Sequence, residues 1–238
     1  MQDNQFINKE KKNNYNYQNK KNNTSVEYKY ICIKKDVFDS TMINLNYLNL
    51  KEKKVIEIIY KSPSVYLEGL YFKTPPISLK DIIIYYKENK HNYLNNNSLS
   101  PTIKLLLNYQ EHTQFINILV SIDETISRYI NKNAIEIENN LNKYYNDDRT
   151  MASFNYEQII KFRYNNIIEL HMKSYIDKQI IDTLERIANN NANNNANNNA
   201  NNNANNKYIF TFNVSNIYFS NNNNLLPLVK CNKCELVP

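Results

Sequence analysis

Alternating apolar and polar residues predict that most of this chain is built from β-strands. Such alternation places one set of side chains on a buried face and the other on an exposed face, and the many β-branched and aromatic residues favour strands. We expect strands at residues 26–35, 55–60, 65–72, 82–86, 102–109, 159–164 and 170–174. Residues 208–219 and 225–237 flank an Asn-rich turn and predict a closing β-hairpin.

The chain contains a single glycine, Gly69, and it interrupts the predicted strand 65–72. A lone glycine within a strand pattern is typical of a bulge or of a close approach between two backbones. We therefore expect either a bulge at Gly69 or a second backbone segment close to it.

One segment has helical periodicity instead. Its apolar residues recur at spacings of three and four and draw a single stripe, which predicts an amphipathic helix over about 111–145 with Glu111 near its start. The stripe consists of Phe115, Ile118, Leu119, Ile122, Ile126, Tyr129 and Ile130. In a mainly β protein this helix must lie against the sheet or the end of a barrel. A second, short helix fits residues 176–187.

Low-complexity sequence occurs in one segment before the predicted domain and in one segment within it. Residues 1–24 are almost wholly Asn, Lys, Gln and Tyr, so they predict a disordered basic arm. Residues 189–206 repeat Asn-Asn-Asn-Ala without an apolar face and predict a surface loop. We expect one folded domain over residues 25–238.

Charge and composition narrow the choice of partners. The chain carries 29 basic and 23 acidic residues, a formal charge of +6 that would attract a polyanion or an anionic membrane surface. No apolar run reaches the ~20 residues that span a bilayer, and the polar first residues lack a signal-peptide pattern. Three cysteines are too few for a secreted disulfide framework. We expect an intracellular protein with no membrane partner.

The common signatures of catalysis are weak. A single glycine leaves no glycine-rich loop for a phosphate or a dinucleotide. Asp123 and Glu124 are adjacent in the predicted helix and would point about 100° apart, so a solvated helix face is favoured over an acid–base pair. We therefore predict no catalytic residues, no cofactor and no enzymatic activity.

The pair Cys231 and Cys234 has the C-x-x-C spacing of half a zinc site. Cys32 with one histidine could complete a tetrahedral set, but no spacing supports that combination. Ordinary strand positions are favoured and no metal site is predicted. A zinc module or a small metal-dependent enzyme stays open as an alternative.

Basic residues interleaved with aromatic residues on the predicted strands indicate binding of single-stranded nucleic acid, in which cations hold phosphates and flat rings stack on bases. The candidates for phosphate contacts are Lys29, Lys34, Lys35, Lys61, Lys73, Lys161, Arg163 and Lys173. The candidates for stacking are Tyr28, Tyr30, Tyr66, Tyr71 and Tyr164.

The order of these segments resembles a known family. Residues 59–70, with Ser62-Pro63-Ser64 before Gly69, look like the early strand pair of the phage T7-type single-stranded-DNA-binding proteins of nucleocytoplasmic large DNA viruses. Residues 102–105 followed by the helical stripe are similar to a strand and inserted helix of that family, and the closing hairpin is similar to its last strands.

The resemblance implies an OB-fold-like Greek-key barrel that coats viral single-stranded DNA during replication and recombination. It also implies replication proteins as further partners and a location in the host cytoplasm or viral factory. A viral structural or scaffold protein of similar fold, without affinity for nucleic acid, is the alternative. The oligomeric state stays open.

Overall fold

Strands make up most of the described part of the chain. A computed structural model of the protein describes residues 32–36, 38–47, 54–63, 65–87, 100–145, 155–174, 178–196, 206–220 and 224–237. The strands in these ranges are β1 (Ile43–Tyr47), β2 (Lys54–Lys61), β3 (Tyr66–Glu68), β4 (Leu70–Lys73), β5 (Ile77–Ser78), β6 (Ile82–Lys87), β7 (Ser100–Asn108), β8 (Asn155–Tyr156), β9 (Ile160–Phe162), β10 (Ile167–Ser174), β11 (Lys207–Phe219) and β12 (Asn224–Val237). The helices are α1 (Tyr109–Lys132), α2 (Ala134–Tyr145) and α3 (Lys178–Ala196).

The described strands pair into one sheet in the order β1-β2-β11-β12-β10-β7-β6. The other described strands lie off this path: β3 pairs with β2, β4 and β5 pair with β11, β8 pairs with β12, and β9 pairs with β10. The prediction of a mostly stranded fold with helices is confirmed. A barrel closes only when its end strands pair, and the described strands form an open sheet that ends at β1 and β6. The predicted closed Greek-key barrel is therefore not found among the described residues.

The predicted closing hairpin is confirmed and lies at the centre of the sheet. β11 and β12 are its longest strands and pair antiparallel, with two register shifts along the way. At one shift, β12 has an extra residue, Asn232, opposite the step from Thr211 to Phe212. Such a bulge re-aims the side chains that follow it.

The prediction of a close approach at Gly69 is confirmed. Gly69 separates β3 from β4 at a φ of 103°, a conformation that side chains with a Cβ rarely adopt. An added Cβ would lie 3.2 Å from the Cβ of Ser215, which sits at the second register shift of β11. Gly69 therefore lets the chain pass close to the central hairpin.

The predicted helix over 111–145 is observed as α1 and α2, with Asn133 between them. The Asn108 side chain accepts hydrogen bonds from the backbone N–H groups of Gln110 and Glu111, which caps the start of α1. The predicted stripe faces the core, and Phe115 meets Phe212 of β11 edge to face with ring centroids 6.1 Å apart. Helix α1 therefore covers the inner face of the sheet.

The prediction of a loop over 189–206 is wrong at its beginning, because α3 extends to Ala196. Ile180, Leu184 and Ile187 are buried and anchor the first turns of this helix. Adding a residue to an existing helix is far easier than starting one, and the repeat supplies alanine, the best helix former. Residues 197–205 lie outside the described residues.

Some predictions fall where the structure gives no description. The basic arm at 1–24 and most of the predicted strand 26–35 lie outside the described residues. Among the described helices, none is long and apolar enough to cross a membrane.

Candidate nucleic-acid interface

A row of side chains crosses six strands on one face of the sheet. In the strand order β4-β11-β12-β10-β7-β6, this cross-strand row consists of Tyr71, Asn213, Lys230, Lys173, Thr102 and Tyr85. Residues paired in register lie side by side on the same face. With strands about 4.8 Å apart, the row is about 24 Å long. It begins and ends with a tyrosine and has two lysines at its centre.

The cross-strand row lies on the outer face, the sheet face opposite the buried core. The next residue along each strand points inward, and five of these inward residues are wholly inaccessible to solvent: Phe72, Phe212, Cys231, Met172 and Ile103. Within the row, Lys173 is exposed and Tyr85 is 38% exposed. Asn213 is buried and its side-chain oxygen accepts a hydrogen bond of 3.1 Å from Asn232 at the bulge.

Further lysines border the row at its β4 end. Lys73 of β4 and Lys233 of β12 both pair in register with Thr211. Their ammonium groups share the carboxylate of Glu235, at 3.6 Å from Lys73 and 2.8 Å from Lys233. Hydrogen bonding from Lys233 lowers the pKa of Glu235. One carboxylate thus orders two exposed cations beside the row.

Further along β10 from Lys173, three basic side chains converge on the buried carboxylate of Glu169. Lys104 Nζ of β7 lies 3.3 Å from Oε1, while Arg163 Nη2 and His171 Nε2 lie 3.1 and 3.0 Å from Oε2. Strand register brings two of these side chains together, because His171 of β10 pairs with Lys104 of β7. We call these four side chains the Glu169 cluster.

The electrostatics of this cluster favour ionised Glu169. Glu169 is only 7% exposed, and burial by itself raises the pKa of a carboxyl group. Hydrogen bonds from His171, Arg163 and Lys104 outweigh that burial and lower the pKa of Glu169 to about 2. The buried negative charge therefore fixes three basic groups in place on the outer face.

The β9–β10 hairpin carries two exposed rings. Asn165 and Asn166 have φ values of 60° and 58°, as a type I′ turn requires, and asparagine tolerates this conformation well. Tyr164, just before the turn, is 93% exposed, and Phe162 at the end of β9 is 60% exposed. Exposed flat rings beside cations are the components of a single-strand binding surface.

A groove runs between α1 and the segment from β8 to β9. Two adjoining cavities of about 900 and 520 Å³ form it, and both include Ser127, Asn131, Gln158, Ile160 and Phe162 in their walls. Polar and apolar surface contribute about equally to the lining, which includes the charged side chains of Glu124, Arg128, Glu157 and Lys161, and Phe162 is its exposed ring. We call this the α1–β9 groove.

The expectation of a solvated Asp123 is wrong, although its neighbour Glu124 is exposed. Asp123 is 2% exposed and accepts hydrogen bonds from Tyr156 Oη at 2.7 Å, Ile159 N at 2.9 Å and Ile160 N at 3.4 Å. These donors come from a segment more than 30 residues further along the chain. Because burial dominates and the donors are neutral, the pKa of Asp123 is raised to about 6. Asp123 thus ties α1 to the start of β9 and shapes the groove.

The structure brings five predicted residues to the outer face and separates the others. Register and contacts place Tyr71, Lys73, Lys161, Arg163 and Lys173 there, with Tyr164 at the adjoining hairpin turn. Lys61 pairs in register with Tyr66 on β2 and β3, beyond the row. Lys34 is exposed in the segment before β1, and the Lys35 ammonium lies 5.1 Å from the ring centre of Phe115. Tyr28, Lys29 and Tyr30 lie outside the described residues.

Several residues of the outer face were not among the predicted ones. They are Tyr85, Lys104, His171, Lys230 and Lys233. A signal for Lys104 was available, since it alternates with the apolar Ile103 and Leu105. Phe162 lies in the predicted strand 159–164, and its exposure follows from its position at the rim of the groove.

The cysteines of β12 lie toward the core. Cys231 is wholly buried and Cys234 is half-buried, and the bulge at Asn232 brings both onto the side of Phe210 and Phe212. Burial raises the pKa of Cys231 to about 12 and also raises the pKa of Cys234. Zinc binds the thiolate form, so this environment disfavours the half site that the spacing indicated. No group of three or more metal-binding side chains occurs within the described ranges.

Known proteins add nothing further to this geometry. No protein-family model matches the chain, and no curated protein and no solved structure matches it either.

Proposed function

We propose that the protein binds single-stranded nucleic acid without catalysing a reaction. The observation that carries this proposal is the cross-strand row, because it combines central lysines with terminal tyrosines on one sheet face. Cations hold the phosphates of the nucleic acid. The rings stack on unpaired bases, which a duplex does not offer. The row length of about 24 Å suits a short stretch of several nucleotides.

The Glu169 cluster supports the same proposal. Fixed cations lose less side-chain freedom on binding than mobile ones. Lys104 and Arg163 are already ordered by Glu169, and Arg163 is still about half exposed. Arg163 is also followed by the exposed ring of Tyr164. This end of the outer face therefore offers a cation and an aromatic ring next to each other.

The finer assignment is part of this proposal. The order of an early strand pair, a strand leading into a helix and a closing hairpin supports a relationship to the OB-fold proteins of the T7-type viral class, with the described strands in an open sheet instead of a closed barrel. On that assignment the ligand is single-stranded DNA in viral replication or recombination, with replication proteins as further partners.

A structural or scaffold role is the second candidate, and the ion pairs of the outer face favour it. Glu235 and Glu169 already pair with basic side chains there, and Lys161 lies 3.5 Å from Glu157 at the border with the α1–β9 groove. A face neutralised in this way could pack against another protein instead of against phosphates.

A fluorescence-anisotropy titration distinguishes the two candidates. The probes are a labelled single-stranded 30-mer and the matching duplex, each measured at 50 and 200 mM salt. We expect the single strand to bind more tightly, with an affinity that falls steeply with salt because phosphate neutralisation releases counterions. Absence of binding at 50 mM salt would end the proposal and leave the scaffold role.

A further inference from the structure

The edge strand β9 lies between the outer face and the α1–β9 groove, and Lys161 borders both. Lys161 pairs in register with Glu169 of the outer face, and Arg163 contacts Glu169 directly. Ile160 and Phe162 alternate with them and line the α1–β9 groove on the other side. Among the described strands β9 pairs only with β10, so its second edge has no neighbouring strand.

The lining of the groove has the chemistry of a base site. Amide groups of Asn131 and Gln158 offer both donors and acceptors, and the Ser127 hydroxyl offers one of each. Among the described residues, these three side chains have no hydrogen-bond partner. Phe162 supplies a flat ring, 60% exposed, at the rim.

Hydrogen bonds to Asp123 hold the wall of the α1–β9 groove in place, which suits the groove to binding a ligand. The Asp123 hydrogen bonds hold β9 at a fixed position against α1. A pre-formed cavity binds more tightly than one that must first be ordered. The cavity wall therefore stays in place when it is empty.

We infer that the α1–β9 groove holds unpaired nucleobases, with Phe162 stacked on a base and the amides of Asn131 and Gln158 bonded to base edges. This inference rests on the proposed function. The phosphates of the same nucleic-acid strand lie at Arg163 on the outer side of β9 and at Lys161, which pairs in register with Glu169 and also borders the larger cavity. A nucleic-acid strand that crosses the edge of β9 thus places its sugar-phosphate chain and its bases on opposite sides of β9, in keeping with the alternation of the β9 side chains.

The first test compares two oligonucleotides of equal length and charge, oligo-dT and an abasic oligomer that keeps only the sugar-phosphate chain. The Phe162→Ala variant should bind oligo-dT about tenfold more weakly, the loss expected for one stacked base. Its affinity for the abasic oligomer should stay within about twofold of the unaltered protein. Ile135→Ala, an exposed apolar position on α2, is the matched control and should change neither affinity.

A spectroscopic test uses the absence of tryptophan from the chain. Phe162→Trp creates a single reporter whose fluorescence should be quenched by oligo-dT and unchanged by the abasic oligomer. Ile135→Trp should respond to neither. The double variant Asn131→Ala with Gln158→Ala should weaken oligo-dT about threefold through lost hydrogen bonds and leave the abasic oligomer unaffected.

The outcomes separate this inference from the proposed function. If neither oligomer binds the unaltered protein, the proposed function fails and the groove assignment fails with it. If both bind and Phe162→Ala binds each as tightly as the unaltered protein does, bases do not enter the groove and only this inference is overturned. An unquenched Phe162→Trp in the presence of bound oligo-dT leads to the same conclusion.

Discussion

Asp123 and Glu169 lie on opposite sides of the β9–β10 hairpin, and both are buried carboxyl groups. Neutral donors surround Asp123, namely a tyrosine hydroxyl and backbone N–H groups, and its pKa is raised to about 6. Three basic side chains surround Glu169, and its pKa is lowered to about 2. Burial raises the pKa of both carboxyl groups, and at Asp123 it outweighs the hydrogen bonds from neutral donors. At Glu169 the basic donors outweigh burial, so the nature of the donors decides the direction of the net shift.

The two sites also differ in what they organise. Asp123 joins a helix to a strand and fixes the wall of the α1–β9 groove. Glu169 orders cations on the outer face and leaves Arg163 partly exposed. On the helix side of the hairpin, Asp123 thus fixes the shape of the groove. On the outer side, Glu169 fixes the positions of charged side chains. Changes to the two carboxyl groups should separate these contributions.

The largest expected effect is the loss of the Asp123 connection. Asp123→Ala leaves the hydroxyl of Tyr156 and the N–H groups of Ile159 and Ile160 without their acceptor. We expect the free energy of unfolding at pH 7 to fall by about 3 kcal/mol. Urea denaturation measures this, and the exposed neighbour Glu124→Ala should change stability by less than about 0.5 kcal/mol. Equal stability of the two variants would contradict the role given to Asp123.

The pH dependence of the Asp123 contribution comes next. Its pKa lies above the ordinary value of 3.8, so the folded state holds a proton that the unfolded state releases between pH 4 and 6. This contribution is therefore full at low pH and is lost as pH rises through 6, by about 2 kcal/mol between pH 4 and 7. The difference in unfolding free energy between the unaltered protein and Asp123→Ala should narrow by that amount. A difference that is constant with pH would show that the carboxyl group is not desolvated.

The contribution of Glu169 to the free energy of unfolding should depend on pH in the opposite sense and should be smaller. Glu169→Gln removes the charge that its three basic partners share, and two of these partners are only partly buried. After allowance for solvent screening, we expect a loss of about 1.5 kcal/mol at pH 7. Because the pKa of Glu169 is lowered from 4.5, this loss should disappear as pH falls from 4.5 toward 2. Glu157→Gln, which breaks a more exposed pair, is the control and should cost under 1 kcal/mol, on the order of a surface ion pair.

The sequence predicted the local features of the fold well. Alternation located the strands of the closing hairpin, and the stripe from Phe115 to Ile130 located α1, because both signals lie within a single element. Gly69 was also correctly linked to a close approach. The extension of α3 into the Asn-Ala repeat was missed, since that repeat has no apolar stripe and its helix depends on the anchored turns before it.

The candidate site was harder to predict because it depends on contacts between distant segments. The sequence predicted a solvated Asp123, but its carboxyl group is buried where it contacts Ile159, which lies 36 residues further along the chain. Lys173 and Lys230 become neighbours through a parallel pairing of β10 with β12 that alternation does not specify. Alternation indicates which side chains share the face of one strand. Register decides which strands bring those faces together.

The most direct test of the account is the salt dependence of binding for two double variants with the same change in net charge. Lys173→Ala with Lys230→Ala removes the central cations of the cross-strand row, whereas Lys80→Ala with Lys143→Ala removes exposed lysines elsewhere. We expect the first variant to bind a single-stranded 30-mer about fivefold more weakly at 100 mM salt, with the slope of log affinity against log salt smaller by about 1.4. The second should match the unaltered protein. Equal affinities and slopes for both variants would show that the row does not hold the strand.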